Sequence, residues 1–213
     1  MAFSYQFPSS DDTDYEQCQK RLGSWEFTCT CLLCIEAKNM TNDVKEKKKG
    51  LRADLKEAHN AKGDVVDFQK CERILAQLGK TNIKKSNNAP RLDLCRSYLL
   101  LAKSYASLGN PVPVAGAAVK ALEMLGFEIS DGESGKWSIE VKKWGLVVDY
   151  VLECFMFLWS SFALAVNSKG AEDARKYAVM AYKIKFGEDE TFDKPYGDAG
   201  RQRIARRMSW DCL

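Results

Sequence analysis

The segment Trp25-Glu-Phe-Thr-Cys-Thr-Cys-Leu-Leu-Cys34 places three cysteines within six residues, as Cys29-x-Cys31-x-x-Cys34. Thiolates are soft anionic ligands, and thiolates clustered this closely select zinc or an iron–sulfur centre. Cys31 and Cys34 are spaced to grip one ion from a tight turn, and Cys29 reaches the same ion. A structural zinc takes four ligands in a tetrahedron, so the cluster supplies three and requires a fourth. Cys18, on a helix expected just upstream, is a candidate within the chain. Two other readings stay open here. One is a redox Cys31-x-x-Cys34 dithiol, against which stands the lack of the strand–helix alternation of a thioredoxin-like domain. The other is a set of buried thiols that bind nothing.

The chain's 213 residues are enough for one substantial core or two small ones. The net charge of +3 is too small to argue for nucleic acid. Of the 8 cysteines, Cys18, Cys71, Cys95, Cys154 and Cys212 are far apart, and Cys95 and Cys154 fall in apolar helical patterns. They read as reduced thiols of an intracellular protein, nuclear or cytoplasmic, rather than as a disulfide framework. Met1–Phe7 has neither the basic segment nor the apolar core of a secretory signal. The apolar run Cys154–Val166 is 13 residues long. A spanning helix needs about 20, so a buried helix is expected and no membrane contact. His59 is the sole histidine. It sits in a polar helical stretch and reads as a surface or packing residue, which leaves no Ser-His-Asp or Cys-His site unless His59 serves it.

Taken in order, Met1–Phe7 alternates as a short strand and Pro8 ends it. A helix capped by Ser9 or Ser10 runs to about Leu22 and stops at Gly23. A lone strand is not stable, so the start of the chain reads as the last piece of a sheet. After the cysteines, Asn42–His59 forms a polar helix. Its run Lys47-Lys48-Lys49 reads as a solvated face, because Glu46, Asp54 and Glu57 interleave, and direct nucleic-acid binding is not expected. Val65–Leu78 forms a second helix with Val66, Ile74 and Leu78 on one stripe, paired with the first around Gly63. Arg91–Phe127 is a helical pair. Leu94, Tyr98, Leu101, Ala102, Tyr105 and Leu108 share one face, Gly109-Asn-Pro111 breaks the chain, and Val114, Ala118, Ala121 and Leu122 turn inward. Ile129–Lys136 reads as a loop, Ile139–Val166 as one long apolar helix, and Ala171–Phe186 as its partner, with Ala174, Ala178 and Ala181 at close-packing spacing.

Two resemblances follow from these residues. Tyr98, Leu101, Ala102, Tyr105, Gly109 and Ala121 match the residue preferences of a tetratricopeptide repeat unit, and residues 139–186 resemble a second, degenerate one. The strand around Phe3-Ser-Tyr5, the helix ending Gln19-Lys-Arg-Leu22, the aromatic pair Trp25 and Phe27, and Cys29-x-Cys31-x-x-Cys34 resemble the end of a SET domain running into its post-SET zinc site. Their order and spacing are similar to the SET and MYND domain (SMYD-like) protein lysine methyltransferases. The resulting expectation is a mainly α fold: a SET remnant over 1–24, a post-SET zinc knuckle over 25–38, a TPR-like helical domain over 40–190, and an irregular basic tail over 191–213.

The resemblance implies roles residue by residue. Tyr5 matches the tyrosine whose hydroxyl lies near the target lysine amine and the methyl donor. Trp25 and Phe27 match aromatics bordering the S-adenosylmethionine pocket and the lysine channel. Cys29, Cys31 and Cys34 match three of the four post-SET zinc ligands. The family's Asn-His-Ser-Cys segment, which supplies the fourth, is absent from this sequence, as are its glycine-rich donor-binding segment and its MYND module. Methyl transfer to an amine needs in-line positioning by groups that converge from several strands. The chain alone is therefore expected to be inactive, with zinc as its own cofactor and S-adenosylmethionine bound only in the full architecture. The implied partner is a protein or peptide substrate, histones included. The competing expectation is a non-enzymatic TPR-like interaction module carrying a structural zinc knuckle.

Overall fold

The computed structural model describes residues 15–23, 28–59, 66–81, 90–131 and 138–197. Tyr5, Trp25, Phe27, the expected strand Met1–Phe7 and the tail 198–213 lie outside them. The elements are α1 (Tyr15–Gly23), α2 (Leu32–Asn39), α3 (Asn42–His59), α4 (Phe68–Lys80), α5 (Leu92–Ser107), α6 (Pro111–Met124), β1 (Glu128–Asp131), β2 (Ile139–Lys143), α7 (Asp149–Leu164), α8 (Ser168–Phe186) and α9 (Asp193–Tyr196). The described residues are thus mainly helical, with one two-stranded sheet. They form two compact units, Met1–Asp93 and Leu94–Leu213. No helix among the described residues is long and apolar enough to cross a membrane.

In the first unit, α3 packs against α4 as an antiparallel pair. α4 buries Cys71, Ile74, Leu75 and Leu78, an i, i+3, i+4, i+7 stripe. It starts at Phe68 rather than Val65, because the Asp67 carboxylate caps it by accepting from the Lys70 N–H at 2.9 Å. The Asp67 N–H donates to the Ala58 carbonyl at 3.2 Å and ties the base of the hairpin. α3 buries Lys48, Leu51 and Ala58. The lysine run is therefore not wholly a solvated face: Lys47 and Lys49 are exposed, while Lys48 turns inward at 7% exposure. Helical geometry makes this unavoidable, since consecutive residues lie about 100° apart and Lys48 shares a stripe with Leu51 and Ala58. His59, in the last turn of α3, is half-buried, and that burial pushes its pKa down.

The second unit is built on α7. This helix buries residues on all sides, among them Phe155, Leu158 and Phe162, as the apolar run requires of a central helix. It packs on α6 and α8. α6 begins with Pro111 in its first turn, where the missing N–H costs nothing. Its Val114, Ala118, Ala121 and Leu122 are fully buried, as expected from their spacing. Ala174, Ala178 and Ala181 of α8 are also buried, and their small side chains permit close helix approach. Phe127, Trp144, Phe155 and Tyr177 form one aromatic cluster. α5 meets α7 through Cys95 and Cys154, both completely buried. A hydrogen bond with Cys95, together with that burial, holds the Cys154 thiol well above its usual pKa.

Three local expectations differ from this structure. Ile139–Lys143 is a strand, not helix, and pairs antiparallel with Glu128–Asp131, where a loop is expected from Ile129 onward. Ile139 and Val141 alternate with Glu140 and Lys142, a period-two pattern hidden by the apolar stretch that follows. Leu108 is exposed rather than inward, because it lies past the last residue of α5. Asp193–Tyr196 forms a short helix where irregular chain was expected. Its Asp193 carboxylate takes two hydrogen bonds from Arg175, at 2.8 and 3.1 Å, and the guanidinium lies over the rings of Trp159 and Phe192.

Candidate metal centre

The three clustered cysteines converge in space. Their sulfurs all lie within 4.8 Å of one another. Each is placed by a different local rule. Cys31 is the N-cap of α2, in extended geometry at φ −66°, ψ 160°. Its carbonyl accepts the first helical hydrogen bond, from the Ile35 N–H at 2.9 Å. Cys34 is the third helical residue and is buried. Both sulfur-bearing residues thus sit at the positive end of a helix, which favours anionic ligands. Cys29 lies outside any helix or strand, two residues before the cap.

Cys29 is held from α1. The Gln19 side chain donates from Nε2 to the Cys29 carbonyl at 3.2 Å and accepts from the Cys29 N–H through Oε1 at 3.1 Å. α1 also reaches the other end of α2, where the Lys38 ammonium lies 5.8 Å from the Tyr15 ring centre.

A zinc ion bound by thiolates at about 2.3 Å in a tetrahedron sets its sulfurs about 3.8 Å apart. The three sulfurs need to draw in by no more than about 1 Å to meet that geometry. The donor set therefore fits a soft divalent metal, with Cys29, Cys31 and Cys34 as the residues that would hold it. Among the described residues the group comprises these three. Cys18 lies on α1, and its side chain falls outside what the structure describes. Tyr5, Trp25 and Phe27 lie outside the described residues, so the structure does not bring them to the cysteines.

The face of α2 beside the cysteines carries a polar cluster that the sequence did not announce. Glu36 is buried and paired with Arg91. Arg52 of α3 pairs with Asp93 at 2.7 Å. Lys48 lies among them. Burial lowers its pKa, and the nearby carboxylates of Glu36 and Asp93 partly offset that. A pairing such as Glu36 with Arg91, 55 residues apart, leaves no trace in local periodicity. The one available signal was the position of Lys48 on the apolar stripe of α3.

Among known proteins, a protein of Gibberella zeae (strain PH-1) named "Methyltransferase" is 29% identical to this chain over 188 residues. The alignment covers 84% of this chain and 25% of that protein, so the chain spans about a quarter of the length of the relative it matches. No family model matches the sequence, and no solved structure matches it.

Proposed function

We propose that this chain is a portion of an S-adenosylmethionine-dependent protein lysine methyltransferase of the SET type. The observation that carries the reading is the alignment with the Gibberella methyltransferase over most of this chain. The convergence of Cys29, Cys31 and Cys34 supports the zinc part of it. In this reading zinc is structural: it joins the short arm at Cys29 to the start of α2. Tyr5 serves the reacting lysine, and Trp25 and Phe27 border the donor pocket. The helices of 40–190 form a TPR-like wall beside a protein or peptide substrate. Supporting that repeat-like reading, α6 packs on α7 and α7 on α8. α5 meets α7 through the Cys95–Cys154 contact and the Lys103–Glu153 ion pair at 2.7 Å. Consecutive packing of α6, α7 and α8 is one element of such a stack.

The test uses the full-length product of the gene that encodes this chain. That protein is expected to bind S-adenosylmethionine in a calorimetric titration and to transfer its methyl group to lysine in histone or other protein substrates. Tyr5→Phe in the same protein is expected to lower transfer. The 213-residue chain alone is expected to show no binding. Methyl transfer to a small molecule or a nucleic acid, with none to protein, would sink the lysine reading.

A further inference from the structure

We propose that Gln19 is a positioning residue of the metal centre, fixing the backbone of Cys29 so that its sulfur meets those of Cys31 and Cys34. The inference rests on the metal-binding reading and names the residue on which its strength depends. Two of the three candidate ligands are placed by α2 itself. Cys31 is its N-cap and Cys34 lies in its first turn, so the start of the helix sets their spacing. Cys29 has no such support. It lies outside any helix or strand, between Thr28 and Thr30, both exposed. Among the described residues, the hydrogen bonds to its backbone come from one side chain, and Gln19 makes both, at 3.2 Å and 3.1 Å.

Neither half of that contact is interchangeable. The amide donates to the carbonyl and accepts from the N–H of a single residue, as a neighbouring strand does at a hydrogen-bonded pair. It therefore fixes the direction of Cys29 as well as its distance. Gln19 in turn is carried on α1, which touches the far end of α2 through Tyr15 and Lys38. One helix thus holds both arms of the cysteine cluster, the arm at Cys29 through Gln19 and the helical arm through Tyr15. Groups that orient metal ligands without touching the metal typically change affinity 10–100-fold when removed.

The experiment uses the whole chain, reduced, with Co(II) as the probe and zinc competition against a chelator for affinity. Thiolate-to-cobalt charge-transfer absorption reports how many sulfurs reach the ion, which a merely structural residue would not alter. In Gln19→Ala and Gln19→Met the expected result is zinc affinity lowered by about 10–100-fold. The charge-transfer band should weaken toward that of a two-thiolate site, with unchanged far-ultraviolet circular dichroism of the metal-free protein. Gln19→Met keeps the length and helix propensity of the side chain and removes only its hydrogen bonds. Variants that bind cobalt with the wild-type spectrum and affinity overturn the proposal. So does collapse of the metal-free fold in both, since that places the role of Gln19 in folding. Failure of the wild-type chain to bind cobalt or zinc is a separate outcome: it removes the metal-binding reading itself and this inference with it.

Discussion

Glu36 and Arg91 are paired below the surface. Arg91 Nη1 donates to Glu36 Oε2, and the two side chains retain 12% and 4% exposure respectively. The pair anchors α2, which carries Cys34, to the segment that leads into α5. Removing one member of a buried pair leaves the other charge unpaired. Arg91→Ala is therefore expected to cost about 3 kcal/mol, or roughly 6–12 °C in Tm for a protein of this size. Urea denaturation of Arg91→Ala, Glu36→Ala and the double variant tests it. The double variant should be less destabilised than the sum of the singles. Additive losses would show that the two side chains do not act as a pair.

Lys48 gives a pH dependence with a defined sign. Burial holds its folded-state pKa below the ordinary 10.5. Below the folded-state pKa both states are protonated, and the stability difference from Lys48→Met is constant. Between the folded-state pKa and 10.5 the unfolded chain binds more protons, so stability rises with pH. Wild type is expected to gain on Lys48→Met across that window and to level off above it. Paired urea titrations at several alkaline pH values read the difference, in which the other groups cancel. A difference that falls with rising pH would reverse the assignment.

Val166 sits at the turn between α7 and α8 with φ 56°, a region β-branched residues avoid, and is 92% exposed. The Asn167 N–H bonds the Phe162 carbonyl at 2.9 Å and the Val166 N–H bonds that of Ala163 at 3.2 Å, which makes Val166 the left-handed residue of a helix C-terminal motif. Val166→Gly is expected to stabilise by about 1 kcal/mol, because relief of steric strain outweighs the added freedom of the unfolded chain. Thermal unfolding checks it, and a lower Tm would count against strain at this site.

Gly145 illustrates the opposite constraint. A Cβ added there would lie 2.3 Å from the Leu125 carbonyl oxygen and 2.7 Å from the Gly126 carbonyl carbon. Both are backbone atoms that a rotamer change cannot move. The next residue, Leu146, donates to the same Leu125 oxygen at 2.8 Å. Gly145→Ala is expected to cost about 3 kcal/mol by forcing β2 and the end of α6 apart. A denaturation midpoint equal to wild type would contradict this close approach.

The candidate metal centre makes the plainest prediction. About one zinc per chain is expected after purification under reducing conditions, by analogy with thiolate sites of this kind. Cys29→Ser and Cys34→Ser should each abolish retention, and chelation should lower the Tm of wild type but not of the variants. A stable, metal-free wild-type protein indifferent to chelators would exclude a structural ion.

The sequence alone determined what depends on near neighbours. The spacing of Cys29, Cys31 and Cys34 singled out the three thiols that the fold brings together. Helical periodicity located α3 at Asn42–His59 and the inward faces of α6 and α8. The apolar run through Phe155 located the buried helix. These features repeat within a turn or two, so local order preserves them. Tertiary structure decided what depends on partners distant in the chain. Glu36 found Arg91, Lys48 turned into the polar cluster, and Ile139–Lys143 became a strand because Glu128–Asp131 was placed to pair with it. The Gln19 side-chain amide likewise meets the Cys29 backbone only when folding sets the two side by side. Hydrogen bonds and ion pairs carry no periodicity, and their energies emerge only when burial removes the competing water.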